Sequence, residues 1–130
     1  HHDLKPDNIL LDFKKKGSQA VITDFQLAAY LSDKQRVAIL RFMPLWAPPE
    51  YAEIQLAPNG PSPELYLSIT SEKLDVWGLG LIFYCLIAYE FPFWVQEWEK
   101  RIDEGEKEFC GLYELLANLK ENWLPDTLSS

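Results

Sequence analysis

A chain of 130 residues, 48% hydrophobic and 14% aromatic, can bury a core and is too rich in large apolar side chains to be a disordered tail. Its 20 acidic against 12 basic side chains give a net charge of −8, so no broad basic face is available and no nucleic acid is expected as a partner. Two cysteines, Cys85 and Cys110, make neither a disulfide framework nor a metal spacing, which favours a reducing, intracellular (cytoplasmic) setting.

The chain opens on His1 and His2 without a methionine, as expected if the numbering starts inside a longer protein. Apolar runs at Ile9–Phe13 and Ala20–Thr23 flank the polar, glycine-containing stretch Lys14-Lys15-Lys16-Gly17-Ser18. That pattern predicts a β-hairpin with a solvated turn. From Ala28 to Met43 no period is sustained, which predicts a loop with room for one helical turn. Pro44, Pro48 and Pro49 predict an irregular stretch, and Pro58-Asn59-Gly60-Pro61-Ser62-Pro63 a long loop inside one domain.

Val76 to Tyr89 is uncharged for fourteen residues, bracketed by Asp75 and Glu90. It is short for a membrane span, so no membrane segment is expected, and apolar all round, so a centrally buried helix is. Phe91-Pro92-Phe93 should end that helix. Two amphipathic helices follow, Trp94 to Ile102 and Phe109 to Trp123, with breaks near Gly105 and Gly111. The first 60 residues are charge-neutral, and the acids concentrate from Glu97 to Glu108, where a solvated helix face is expected. The tail from Leu124 to Ser130 carries the chemistry of a further helix start, with Ser and Asp after proline. The fold class is therefore mainly α with a small β-hairpin.

Asp3, Lys5 and Asn8 lie within six residues just before the hairpin, and Asp24 just after it. Paired strands would bring these groups to one end. Carboxylate and amide oxygens suit Mg²⁺, which normally arrives with phosphates. A lysine there neutralises charge on a phosphoryl group, and a free carboxylate can accept a hydroxyl proton.

His1-His2-Asp3-Leu4-Lys5-Pro6-Asp7-Asn8 resembles the catalytic loop of eukaryotic protein kinases, His-Arg-Asp-Leu-Lys-Pro-x-Asn, differing only at His2. Asp24-Phe25-Gln26 resembles the Asp-Phe-Gly magnesium motif, and Pro49-Glu50 the end of the Ala-Pro-Glu motif. Asp75-Val76-Trp77-Gly78-Leu79-Gly80 resembles the opening of the central helix, usually Asp-x-Trp-Ser-x-Gly. The resemblance implies a serine/threonine-type kinase with ATP and Mg²⁺ as cofactors and a Ser/Thr-containing protein as substrate. It makes Asp3 the catalytic base, Lys5 a partner of the γ-phosphoryl group, and Asn8 and Asp24 the Mg²⁺ ligands. His1 would pack on Phe25, Glu50 would form an ion pair with an arginine beyond residue 130, and Asp75 would hold the backbone of the loop.

The pattern is broken in places. His2 lacks the bidentate fork with which arginine pairs with a phosphate, and from Phe25 to Pro49 the only hydroxyls are Tyr30 and Ser32, so phospho-dependent switching does not carry over. Met43 stands about where a threonine is usual. Gln26 replaces a glycine and can adopt ordinary backbone angles, which implies altered loop dynamics with the metal ligands kept. The resemblance covers residues 1–130 but only about half of a kinase domain of ~250 residues. It implies a partial kinase-like C-terminal lobe (α+β), without the N-terminal lobe or the final helices. The expected function is a portion of a serine/threonine protein kinase, itself inactive when isolated. The alternatives are a pseudokinase-like scaffold and an inactive truncated product with an exposed apolar face.

Overall fold

In the computed structural model, residues 1–14, 17, 19–37, 43–105 and 108–120 are described. After a single 3-10 turn at Pro6–Asn8, strands β1 (Ile9–Asp12) and β2 (Gln19–Ile22) pair antiparallel, with Ile9 opposite Ile22 and Asp12 opposite Gln19. The hairpin is thus where the apolar runs place it, although Lys15, Lys16 and Ser18 of its turn lie outside the described residues. One helical turn, α1 (Lys34–Val37), follows, and residues 38–42 again lie outside the description.

The proline-rich stretch differs from expectation. A 3-10 turn spans Pro44–Trp46, and a helix, α2 (Pro49–Gln55), begins on the second of two adjacent prolines. A third proline opens α3 (Pro63–Ile69), with the hydroxyl of Ser62 accepting the Leu65 N–H at 3.3 Å. Proline at the first helical position gives up an N–H that the helix could not have satisfied, and its fixed φ suits the start. In both places proline starts a helix rather than preventing one.

Helix α4 (Lys73–Ala88) is the long apolar element, and α5 (Phe93–Asp103) and α6 (Cys110–Ala117) follow it. A 3-10 turn at Asn118–Lys120 ends the described chain. Helix α4 stops before Phe91, at Tyr89, whose backbone is left-handed (φ 56°) and whose N–H still reaches the Cys85 carbonyl. Gly105 turns the chain after α5 with φ +100°, a conformation open to glycine. Gly111, expected at a break, instead lies inside α6 with the guanidinium of Arg101 close over it.

The main core gathers Ala52 of α2, Leu81 of α4, Trp94, Val95 and Trp98 of α5, and Leu112 and Leu116 of α6. Trp94 is buried, stacks on Trp77 with ring centroids 6.1 Å apart, and donates its Nε1–H to the Leu45 carbonyl. A second cluster of Ala47, Tyr51, Ile54 and Tyr66 ties α2 to α3. The expectation of a centrally buried α4 is not met among the described residues. Leu74, Gly78 and Leu81 are buried, whereas Val76, Leu79, Phe83, Leu86 and Ile87 are exposed. The burial that α4 does have places its first two turns against the start of the chain.

No single helix among the described residues is long and apolar enough to cross a membrane. The acidic stretch is solvated as expected: Glu99, Asp103, Glu104 and Glu108 are exposed, and Glu97 pairs with Arg101 one turn on.

Candidate active site

Residues 1–8 form an extended entry closed by the turn at Pro6–Asn8. Pro6 fixes φ at the first position of the turn, and the Asn8 N–H reaches the Lys5 carbonyl at 3.0 Å. This folds Asn8 back over Asp3. The Asn8 Nδ2 donates to the Asp3 carbonyl at 2.8 Å and to Asp3 Oδ2 at 3.0 Å. The Lys5 ammonium donates to the same Oδ2 at 3.0 Å. Asp3, Lys5 and Asn8 are therefore in direct contact, and Asp3 and Asn8 are buried.

The carboxylate of Asp3 is used on one side only. Its Oδ2 has two donors, but Oδ1, shielded from solvent, accepts no hydrogen bond among the described residues. A buried acceptor without a donor is unfavourable by about 1–3 kcal/mol. A donor from outside, such as a hydroxyl, reaches this oxygen only after the atoms that cover it shift.

Asp24 reaches this end of the molecule through the hairpin. The Thr23 N–H donates to the Asn8 carbonyl at 2.9 Å, and the Thr23 hydroxyl donates to the same oxygen. Asp24, the next residue, turns left-handed at φ 59° and is exposed, with the Gln26 N–H directed at its Oδ1 from 3.4 Å. Gln26 itself keeps a negative φ, as a residue with a side chain prefers. His1 bridges the two segments. Its Nε2 lies 2.9 Å from the Thr23 carbonyl, which can only accept, so that nitrogen carries the proton and Nδ1 accepts the Asp3 N–H. The ring also meets Phe25 edge-on, with centroids 4.8 Å apart.

Helix α4 holds the loop from behind. Asp75 Oδ1 accepts the His2 N–H at 2.8 Å, and Oδ2 accepts from the His1 nitrogen at 2.7 Å. His2 is buried in a left-handed conformation (φ 66°), beside a small cavity shared with Asp3, Leu4, Trp46, Asp75 and Gly78. Burial holds its imidazole below the ordinary histidine range, opposed by Asp75. Glu50, at the start of α2, has no ion-pair partner among the described residues. It borders a surface cavity with Lys73, Val76, Trp77, Gly80 and Leu81.

Two contributors escape a reading of the sequence. Thr23 clamps Asn8 to Asp24 but belongs to no motif, and only its place at the end of β2 marks it. Trp46 lies far from the loop in sequence and is brought to it by the turn at Pro44–Trp46.

As a donor set, one amide oxygen and one carboxylate fit Mg²⁺, which keeps most of its shell for waters and phosphates. The Asn8 amide nitrogen is spent on Asp3, which leaves its oxygen for a cation. No cluster of three or more His, Cys, Asp or Glu suited to a metal occurs among the described residues.

Fold and site together define a kinase-type catalytic loop, clamped between a hairpin and a helix. The chain belongs to the protein kinase domain family, which matches residues 1–129. Over 95 residues it is 36% identical to the probable serine/threonine-protein kinase fhkD of Dictyostelium discoideum, covering 72% of this chain and 12% of that protein. The calcium-dependent protein kinase 21 of Arabidopsis thaliana is 28% identical over 112 residues, 84% of this chain and 18% of its own length. Serine/threonine-protein kinase chk1 of Schizosaccharomyces pombe is 35% identical over 92 residues, 71% and 16%. The chain spans less than a fifth of each of these relatives. No solved structure matches it.

Proposed function

We propose that these residues are the catalytic-loop portion, in the C-terminal lobe, of an intracellular serine/threonine protein kinase that transfers the γ-phosphate of ATP to a protein hydroxyl. The observation that carries this reading is the direct contact of Asp3, Lys5 and Asn8, with Asp3 Oδ2 fixed by the lysine ammonium and the asparagine amide. In this role Oδ1 orients the substrate hydroxyl and accepts its proton, while Asn8 keeps the carboxylate from rotating away. Lys5 offsets negative charge near the transferring group. Asn8 and Asp24 would hold Mg²⁺, and Mg²⁺-ATP, when bound, supplies the phosphoryl group to be moved. The relatives' names support the serine/threonine specificity.

The test is radiolabel transfer from ATP by the full-length protein that carries this chain. Asp3→Asn should lower transfer about 10²–10⁴-fold, the scale of general-base catalysis, with the melting temperature little changed. Transfer equal to wild type would refute the assignment. The isolated 130 residues should show no turnover, since they lack a glycine-rich loop and strand lysine to hold the nucleotide. A second reading, a non-catalytic module of the same shape, rests on His2 and Gln26. It is favoured if the wild-type full-length protein binds a partner yet transfers no phosphate.

A further inference from the structure

Gly78 lies one turn after Asp75, on the buried side of α4. A Cβ placed on it would stand 2.8 Å from the Leu4 carbonyl oxygen and 2.9 Å from the Leu4 Cβ, both closer than real Cβ atoms approach their neighbours. These are backbone and near-backbone atoms, which cannot swing aside like the end of a flexible side chain. Gly80, two residues on, would meet nothing within 4 Å. Space is therefore demanded at one glycine of the pair and not at the other. The kinase pattern places serine where Gly78 stands, so this close seating belongs to this chain rather than to the motif.

We infer that Gly78 is a positioning residue for the catalytic carboxylate. Asp75 fixes the loop at the nitrogens of His1 and His2, and Gly78 sets how deeply the next segment sinks onto α4 at Leu4. Two separate points of attachment fix an orientation that one cannot. Leu4 stands between Asp3 and Lys5, whose side chains are joined at 3.0 Å, so moving Leu4 moves both reactive groups. To bring a new Cβ from 2.8 Å to an ordinary contact, Leu4 must retreat by about 0.6 Å. A misplacement of about 1 Å can cost about a hundredfold in rate, so a tenfold loss is the expected scale. The inference rests on the kinase reading for what the loop does, and on the geometry alone for where it sits.

The experiment compares Gly78→Ala, Gly78→Ser and Gly80→Ala in the full-length protein by steady-state phosphate transfer, thermal melting and amide hydrogen exchange of residues 1–8. Both Gly78 variants should lose about tenfold in kcat with KM for ATP within twofold, and exchange should quicken in residues 1–8 alone. Gly80→Ala should stay within twofold of wild type in kcat and leave exchange in the loop unchanged. Unaltered loop exchange in Gly78→Ala, or equal losses of turnover in Gly78→Ala and Gly80→Ala, would overturn the inference. Global unfolding of Gly78→Ala would also overturn it, in favour of a plain packing role. If wild type transfers no phosphate the kinase reading fails, whereas the exchange comparison still decides whether Gly78 seats the loop.

Discussion

Replacing Asp75 with alanine removes the acceptor for two nitrogens at once. The His2 N–H lies 2.8 Å from Oδ1 and the His1 nitrogen 2.7 Å from Oδ2. Both bonds have the short lengths of charge-assisted contacts. His2 is buried, so losing the carboxylate that accepts its N–H should cost about 1–3 kcal/mol. The Asp75 side chain is 35% exposed, so water can take over part of the second bond, which in the full-length protein comes from a peptide N–H. The expected loss is therefore about 2 kcal/mol rather than the sum of two buried contacts. Asp75→Asn keeps one carbonyl oxygen but turns a donor toward the other nitrogen, and should fall between wild type and alanine. Urea denaturation of the full-length protein at constant m-value gives the difference, and amide exchange at His2 and Asp3 locates it. A loss below about 0.5 kcal/mol for Asp75→Ala, the scale of an ordinary surface substitution, would refute the idea that α4 pins the loop through this carboxylate.

Tyr89 ends α4 with φ 56° and 93% of its surface exposed, so its ring contributes little packing while its backbone is held in a region unfavourable by about 1 kcal/mol for most residues. Tyr89→Gly should stabilise by about 0.5–1 kcal/mol in denaturant titration, and a loss of stability would show that the ring is doing more than its exposure implies. For His2, burial lowers the pKa in the folded state, so the unfolded chain binds more protons once pH falls below the ordinary histidine value of about 6.5. Its stability contribution is thus present above that value and lost as pH drops through the lowered folded value. His2→Asn, which tolerates a left-handed backbone but does not titrate, should flatten the fall in denaturation midpoint between about pH 7.5 and pH 5, and an unchanged slope would assign it to other groups.

Much of this arrangement was legible in the residues, for reasons that differ from element to element. The hairpin could be read because its apolar runs are short and separated by a polar, glycine-bearing turn, a local signal that needs no tertiary information. Contact among Asp3, Lys5 and Asn8 followed from close spacing around Pro6 together with the kinase resemblance. Helices α2 and α3 are not legible in the sequence, because whether Pro49 or Pro63 starts or stops a helix depends on which side the helix lies. Gly111 misled in the same way: its position inside α6 is explained by the Arg101 side chain over it, which only the folded chain supplies. The part of Gly78 was invisible for a further reason. Leu4 and Gly78 are far apart in sequence, and nothing in either residue announces that the backbone of one crosses the helix face of the other.

Helix α4 shows most plainly what composition can and cannot specify. Its apolar residues are spread all round, so no periodicity selects a face, and a helix of that kind is stable only when covered on more than one side. With about 100° of rotation per residue, the buried Leu74, Gly78 and Leu81 fall on one side of α4. The exposed Val76, Leu79, Phe83, Leu86 and Ile87 fall on the opposite one. The covered side carries Gly78 against the loop and Leu81 in the core with Trp94, while Asp75, about 100° round from Leu74, reaches the loop from the flank. The bare side makes no comparable contact among the described residues, and it is as apolar as the first. Both faces are therefore suited to burial, and only one of the two is covered by the described residues. That asymmetry is the physical ground for testing phosphate transfer in the full-length protein rather than in the isolated chain.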